Sequence, residues 1–337
     1  MKTSNITFTE KNEVKVLLEE VPELKEGQVL VRSRKTLIST GTECICLSRN
    51  FEPGTHWDNW VKYPFYPGYS NAGEVVAVAS DVTTLRPGDR VATSASHRQF
   101  FAIEADYALK IPDAVSDESA TWFPLAVTVQ NGVRRAEHKM GDDVVIVGAG
   151  LLGQLAVQYA SLSGARSVIS IDTAPRRLEF AKAHGATHIL EMGVEESRDV
   201  VFDITEGRGA DVVYDITGHP KVLSGALPLL RKFGKLMIVG DAGAPSEQRL
   251  TPDVIKRGLQ IIGAHAVNPP LVPNDENRWT RLNMARLFFH YIERNQMRVS
   301  DLITHHFSPA DAADAYHLLL TDRSAVMGVI FDWDLLE

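Results

Sequence analysis

The sequence predicts an α/β protein with a β-rich domain and a doubly wound parallel sheet. Three observations carry this. The chain has 337 residues, more than one hydrophobic core usually organises, so two domains are expected. From Met1 to about Thr121 it runs in short alternating segments broken by turn residues. From Asp143 the rhythm changes to β-branched runs alternating with helical runs, which places a parallel sheet beneath covering helices.

In the first part, strands are expected at Val29 to Arg32, Glu74 to Ala79, Arg90 to Thr93 and Phe100 to Ile103, with a turn at Pro87-Gly88-Asp89. In the second, strand candidates are Val144 to Val147, Ser167 to Ile171, His188 to Leu190, Asp211 to Asp215, Lys235 to Val239 and Leu259 to Ile262. Helices fall between them, such as Leu152 to Leu162 closed by Gly164 and Arg176 to Ala183 closed by Gly185. After Ala266 the alternation stops. Asn268-Pro269-Pro270 reads as a linker, followed by helices near Arg281 to Arg294 and Pro309 to Leu320 and a strand from Val326 to Phe331. These continue none of the six-strand pattern, so the tail is expected to rejoin the β-rich half. The division is therefore 1–122, 123–266 and 267–337, the first and last forming one domain.

Composition excludes several function classes. With 44% apolar and 23% charged residues the chain is neither disordered nor low in complexity. A net charge of −8 argues against nucleic acid or an anionic membrane as the main partner and implies an acidic soluble protein. The start, Met1 to Asn5, has no apolar signal core, which reads as cytoplasmic. Two cysteines, Cys44 and Cys46, make neither a disulfide framework nor a four-cysteine zinc site.

The most informative stretch is Val144-Val145-Ile146-Val147-Gly148-Ala149-Gly150-Leu151-Leu152-Gly153. A buried strand enters Gly-x-Gly-x-x-Gly and then a helix. Gly148 permits the turn, Gly150 admits a pyrophosphate against the backbone, and Gly153 lets helix and strand pack closely. The helix N-terminus at Leu151 and Leu152 offers unpaired N–H donors to the anion. The next strand ends in Asp172, placed to accept from a ribose 2′-hydroxyl. This is a Rossmann dinucleotide fingerprint. Asp172 would repel a 2′-phosphate, so NAD is favoured over NADP, with Arg176 and Arg177 close enough to soften the preference.

Further motifs appear in order: Ile38-Ser39-Thr40-Gly41-Thr42-Glu43, Pro67-Gly68-Tyr69-Ser70-Asn71-Ala72-Gly73-Glu74-Val75-Val76, Arg86-Pro87-Gly88-Asp89-Arg90-Val91, then Gly148 to Gly153. Together they resemble the medium-chain dehydrogenases/reductases from about Gly27 to Trp333. The resemblance implies a GroES-like catalytic domain clasping the Rossmann domain, a site in the cleft between them, and a homodimer or homotetramer. Cofactor contacts are implied at Ile216-Thr217, Gly240 and the backbone of His265, beside those of Arg177 and Asp172.

Zinc-dependent members of that superfamily carry a catalytic Cys where this chain has Thr40, Gly-His-Glu where it has Gly68-Tyr69-Ser70, and Cys or Glu where it has Phe123. Four structural cysteines are also missing between Arg90 and Phe100. The resemblance therefore implies an enzyme without zinc, similar to a branch that includes bacteriochlorophyllide hydroxyethyl dehydrogenases. Without a metal, hydrogen-bonding groups must polarise the substrate oxygen and move its proton. Tyr69 is one candidate, or else an aromatic filling the vacated metal space. Thr42 takes the family's proton-relay position and Thr40 that of the metal thiolate, or both serve the local backbone. His97, before Phe100, is a catalytic candidate or a structural imidazole.

His305-His306 resembles a metal pair, but neighbours on a strand face opposite ways. Phe51, Trp57, Trp60, Tyr63, Phe65, Tyr66 and Tyr69 read as packing under a loop or as a wall for a ring-shaped substrate. The expected reaction is NAD-dependent interconversion of a secondary alcohol and a ketone on a polyhydroxylated or ring-containing molecule. Alternatives are an NADPH-dependent C=C reductase and an inactive nucleotide-binding protein.

Overall fold

The computed structural model describes residues 2–270, 272–275 and 277–336. Chain contacts divide it into two compact units, one comprising the chain up to Asn50, His56–Pro124 and Ala285 onward, the other Phe51–Thr55 and Leu125–Met284.

In the first unit, β1 (Lys2–Glu10) and β2 (Glu13–Glu20) form an antiparallel hairpin in which Ile6 faces Val16. Its turn passes through Asn12, whose positive φ of 60° suits an Asn side chain. The strands β3 (Gln28–Leu37), β4 (Asn71–Val78), β5 (Arg90–Thr93), β6 (Phe100–Glu104) and β7 (Leu109–Lys110) follow. β3 is long enough to pair with both β4 and β6, and its alternating inward residues Val29 and Val31 meet Val75, Val91 and Phe101 in the core. The hairpin also fixes two later segments: Phe8 exchanges both backbone hydrogen bonds with Phe65, and Ile6 N–H donates to the His97 carbonyl at 3.0 Å. The stretches carrying Tyr69 and His97 are thereby anchored to the first strand.

The second unit holds β8 (Asp143–Val147), β9 (Ser167–Asp172), β10 (His188–Glu191), β11 (Ala210–Asp215), β12 (Leu230–Ile238) and β13 (Gln260–Gly263). All pair in parallel, in the order β10-β9-β8-β11-β12-β13. The order reverses between β8 and β11, which leaves a crevice beyond their C-terminal ends. β8 has no exposed residue because both faces are covered, and Val145, Val147, Ile169, Val213 and Leu236 share one core.

In the tail, β14 (Ile303–Phe307) and β15 (Gly328–Asp332) join the first unit's sheet through β15 against β3. The helices fall at Arg281–Glu293 and Ala312–Thr321, the latter entered through a 3₁₀ turn at Pro309–Asp311. The boundary differs from the sequence reading. Residues 267–284 group with the second unit, where Gln130 donates to the Met284 carbonyl at 3.1 Å, and the return begins at Ala285. No helix among the described residues is long and apolar enough to cross a membrane.

Candidate active site

The second unit presents the nucleotide half of the chemistry. Gly148 has a φ of +97°, which turns the chain off the end of β8. A Cβ at Gly153 would fall 2.0 Å from the Gly148 carbonyl oxygen, so only glycine lets the helix lie this close to the strand. At Gly150 the same construction meets nothing within 4 Å. That open space lies beside a helix running Leu151–Leu162, whose first intrahelical bond joins the Gln154 N–H to the Gly150 carbonyl. The N–H groups of Leu151, Leu152 and Gly153 precede that bond and are available to an anion. The turn thus fits a pyrophosphate.

Asp172 ends β9, half-buried, and accepts from Ala149 N–H at 2.7 Å through one oxygen and from Ala174 N–H at 2.9 Å through the other. It therefore braces the glycine turn, and each oxygen keeps a further lone pair for a ribose hydroxyl. Arg177 stands half-buried in the adjacent helix, and its carbonyl accepts from Gln154. Ile216-Thr217 follows β11, with the Thr217 methyl 2.9 Å from where a Gly148 Cβ would sit. Thr217 donates its hydroxyl and its N–H to Asp215, whose carboxyl burial pushes up while these two bonds oppose. Gly240 follows β12 and packs against Ile216 and Gly218. His265 is exposed beyond β13, and its carbonyl accepts from Asn131 at 2.9 Å. A cavity of about 1040 Å³ in this unit, lined by Asn131, Arg134, His138 and Trp279 among others, shares no residue with the glycine turn.

The first unit presents a chain of hydroxyls. The helix Thr40–Ser48 starts directly after β3, with Ser39 as its cap. Ser39 Oγ lies 2.5 Å from the Tyr69 hydroxyl, which donates to Thr42 Oγ1 at 3.3 Å. Burial pushes the Tyr69 phenol up, against the opposing hydrogen bonds of Ser39 and Thr42, so it holds its proton at neutral pH. Thr40 stands half-exposed in the same helical turn and takes no part in this chain. His97 is 1% exposed. Its Nε2 pairs with Glu43 Oε2 at 3.0 Å and its Nδ1 with Thr36 Oγ1 at 2.8 Å, which gives it a buried and structural setting.

Sequence reasoning did not single out Ser39, Thr36 or Tyr316 as partners. Ser39 stood within a quoted motif, whereas Tyr316 lies in the tail helix with no local signal. His306 bonds to Glu118 while His305 bonds to Thr304, so the adjacent histidines do not converge. The aromatic stretch is largely engaged in packing: Trp57 is 5% exposed, Phe65 stacks on Phe8, and Tyr63 and Tyr66 direct their hydroxyls to the Leu47 carbonyl and to Glu19.

These residues fit a zinc ion poorly. Both ring nitrogens of His97 and both oxygens of Glu43 are already bonded within the protein. Burial pushes the Cys44 thiol up to about 11 and that of Cys46 higher still, so both are protonated thiols in the folded chain. Phe123 packs against Phe289. Among the described residues no group of three His, Cys, Asp or Glu side chains is placed to hold a metal.

Comparison with known proteins agrees with this architecture. The alcohol dehydrogenase GroES-like domain family matches residues 25–113, and the zinc-binding dehydrogenase family matches residues 152–282. L-threonine 3-dehydrogenase of Paraburkholderia xenovorans (strain LB400) is 27% identical over 93% of both chains. Sorbitol dehydrogenase of Bacillus subtilis (strain 168) is 30% identical over 74% of this chain and 78% of its own. In fold, the zinc dependent alcohol dehydrogenase 2 from Streptococcus pneumonia superposes with a TM-score of 0.85 at 20% identity, covering 99% of each chain. With its glycine turn, six-stranded parallel sheet and β-rich unit completed by the tail, the chain belongs to the alcohol dehydrogenase-like medium-chain dehydrogenase/reductase superfamily of oxidoreductases.

Proposed function

We propose that this protein is an NAD-dependent, zinc-independent oxidoreductase that interconverts a secondary alcohol and a ketone on a polyhydroxylated or ring-containing small molecule. The observation that supports it is the Ser39–Tyr69–Thr42 hydroxyl chain, with a protonated phenol in the motif where the resemblance implies a metal-binding histidine in zinc-dependent members. The names of the relatives, threonine and sorbitol dehydrogenases, support an alcohol carbon as the reacting centre.

When bound, a nicotinamide supplies the hydride donor or acceptor. Leu151, Leu152 and Gly153 would hold its pyrophosphate through their N–H groups, and Asp172 would accept from the adenosine ribose and disfavour a 2′-phosphate. On the substrate side, the 3.3 Å bond from Tyr69 to Thr42 is long, and a substrate oxygen replaces it at little cost. In reduction, Tyr69 donates to the carbonyl oxygen as negative charge develops there, Ser39 holds the phenolic oxygen by its hydrogen bond, and Thr42, released as acceptor, turns its hydroxyl to the phenolic oxygen and passes a proton from water to it. In oxidation the same relay runs in reverse: Tyr69 takes the substrate hydroxyl proton as its own proton passes to half-exposed Thr42 and on to water. No Lewis acid is needed in either direction.

The test is a screen of alcohols, polyols and sugars with NAD and with NADP, followed by Tyr69→Phe on the best substrate. Loss of the phenolic proton is expected to lower kcat about 100-fold, within the range for a general acid. Unchanged turnover would remove Tyr69 from the chemistry, and faster turnover with NADP would overturn the cofactor assignment.

A further inference from the structure

Behind the hydroxyl chain lies a second polar cluster that the proposed chemistry does not use directly. Glu43 is 1% exposed, and three donors converge on its carboxylate. Ser39 N–H reaches Oε1 at 2.7 Å, while His97 Nε2 and the Tyr316 hydroxyl reach Oε2 at 3.0 and 2.5 Å. Behind His97, the Trp333 indole donates to Thr36 Oγ1 at 3.0 Å. The Thr36 oxygen accepts there and keeps a second lone pair and its own proton, so the tautomer of His97 follows from its other partner: the Glu43 carboxylate can only accept. Nε2 is then the protonated nitrogen and donates to Glu43.

The cluster draws on β3, the helix that follows it, the segment before β6, the tail helix and the final 3₁₀ turn. Gly68, next to Tyr69, is also part of its wall, since a Cβ there would fall 2.7 Å from the His97 ring. A buried polar network of this kind costs desolvation that an apolar core of the same volume avoids. It touches the hydroxyl chain through Ser39, whose N–H is bound to Glu43 and whose Oγ is bound to Tyr69.

We propose that Glu43 is the positioning residue for Tyr69, acting through Ser39, and that His97, Thr36, Tyr316 and Trp333 hold Glu43 in place. This rests on the proton-handling role given to Tyr69 above. Glu43 also acts through space: after burial, its negative charge helps to keep the phenol protonated. The other groups facing the cluster are Cys44 and Cys46 on the same helix, Arg323 near Gly41 from the tail, and the cluster's own His97 and Tyr316.

The experiment uses the full chain labelled with [¹³Cζ]tyrosine, with the Tyr69 signal identified by its loss in Tyr69→Phe. Glu43→Gln keeps the shape and removes the charge, so the Tyr69 signal is expected to titrate lower by about half a pH unit or more. On the alcohol found by the screen, kcat is expected to fall about 10- to 100-fold with KM little changed, as for a misplaced catalytic group. Tyr316→Phe removes one donor from Glu43 and is read in the same assays, so it decides the matter should Glu43→Gln fail to fold. Wild-type titration and wild-type kcat in a folded variant overturn the proposal. If Tyr69→Phe itself keeps full turnover, the role of Tyr69 in the reaction fails instead, while the titration still reports whether Glu43 governs the phenol.

Discussion

The two glycines at 150 and 153 look alike in the sequence and do different work in the structure. Gly153 is required by the fold, because a methyl group would press into the Gly148 carbonyl. Gly150 sits at a φ of −72° with open space where its Cβ would be, a geometry that alanine adopts freely. Gly153→Ala should therefore lower stability by about 2–3 kcal/mol, the upper part of the range for overpacking. Gly150→Ala should leave the melting temperature unchanged while weakening NADH binding, because the methyl group occupies the pyrophosphate's path. Thermal melts with NADH fluorescence titration separate the two, and equal destabilisation would show that Gly150 serves packing alone. The spacing of these glycines was legible because each answers a local backbone demand. The setting of His97 was not, because Glu43 and Thr36 reach it from positions more than 50 residues away.

At the scale of elements, the parallel sheet is tied at the N-terminal ends of its central strands by one buried carboxylate. Asp143 opens β8 at 0% exposure. It accepts two bonds from Arg166, at 2.9 and 2.8 Å, together with bonds from Ser167 and Arg208, so the entries to β8, β9 and β11 meet on it. Burial raises its carboxyl, and the bonds and charges of Arg166, Ser167 and Arg208 outweigh this, leaving it below the ordinary value. A carboxyl lowered on folding stabilises the native state above its unfolded pKa, about 4, and loses that contribution as pH falls through the folded value. Asp143→Asn should cost about 2–3 kcal/mol at neutral pH, and the difference should shrink as pH drops below about 4. Denaturant titrations at several pH values test this, and a pH-independent difference would assign the loss to packing. Strand β8 was legible as an apolar run, whereas its tie to Arg208 depends on β11 lying beside β8, which spacing alone does not set. The β1–β2 hairpin escaped notice for another reason. β1 buries Thr3, Ser4, Asn5 and Thr7, so a covered strand carries a polar sequence.

For the molecule as a whole, the alternation of strand and helix marked one unit, and its end marked the tail's return to the other. The precise point of return was hidden because the described residues of 267–284 carry no strand to mark it, and this stretch groups with the second unit. A nucleotide that binds only the native state must raise stability in proportion to its occupancy, by about 2.7 kcal/mol at a hundredfold excess over Kd. The proposed preference for NAD predicts that NADH gives the larger rise in unfolding temperature at equal concentration, because NADPH would bring a phosphate toward the Asp172 carboxylate that braces Ala149. The proposed zinc independence predicts in addition that prolonged chelation changes neither the melting temperature nor the NADH-induced rise, the Glu43 and His97 side chains being bonded to each other. Calorimetry before and after chelation, with metal analysis of the same sample, measures both. Stoichiometric zinc whose removal lowers the melting temperature would mean that the Glu43–His97 pair opens to take a metal, and the organic proton chain would then give way to Lewis-acid catalysis.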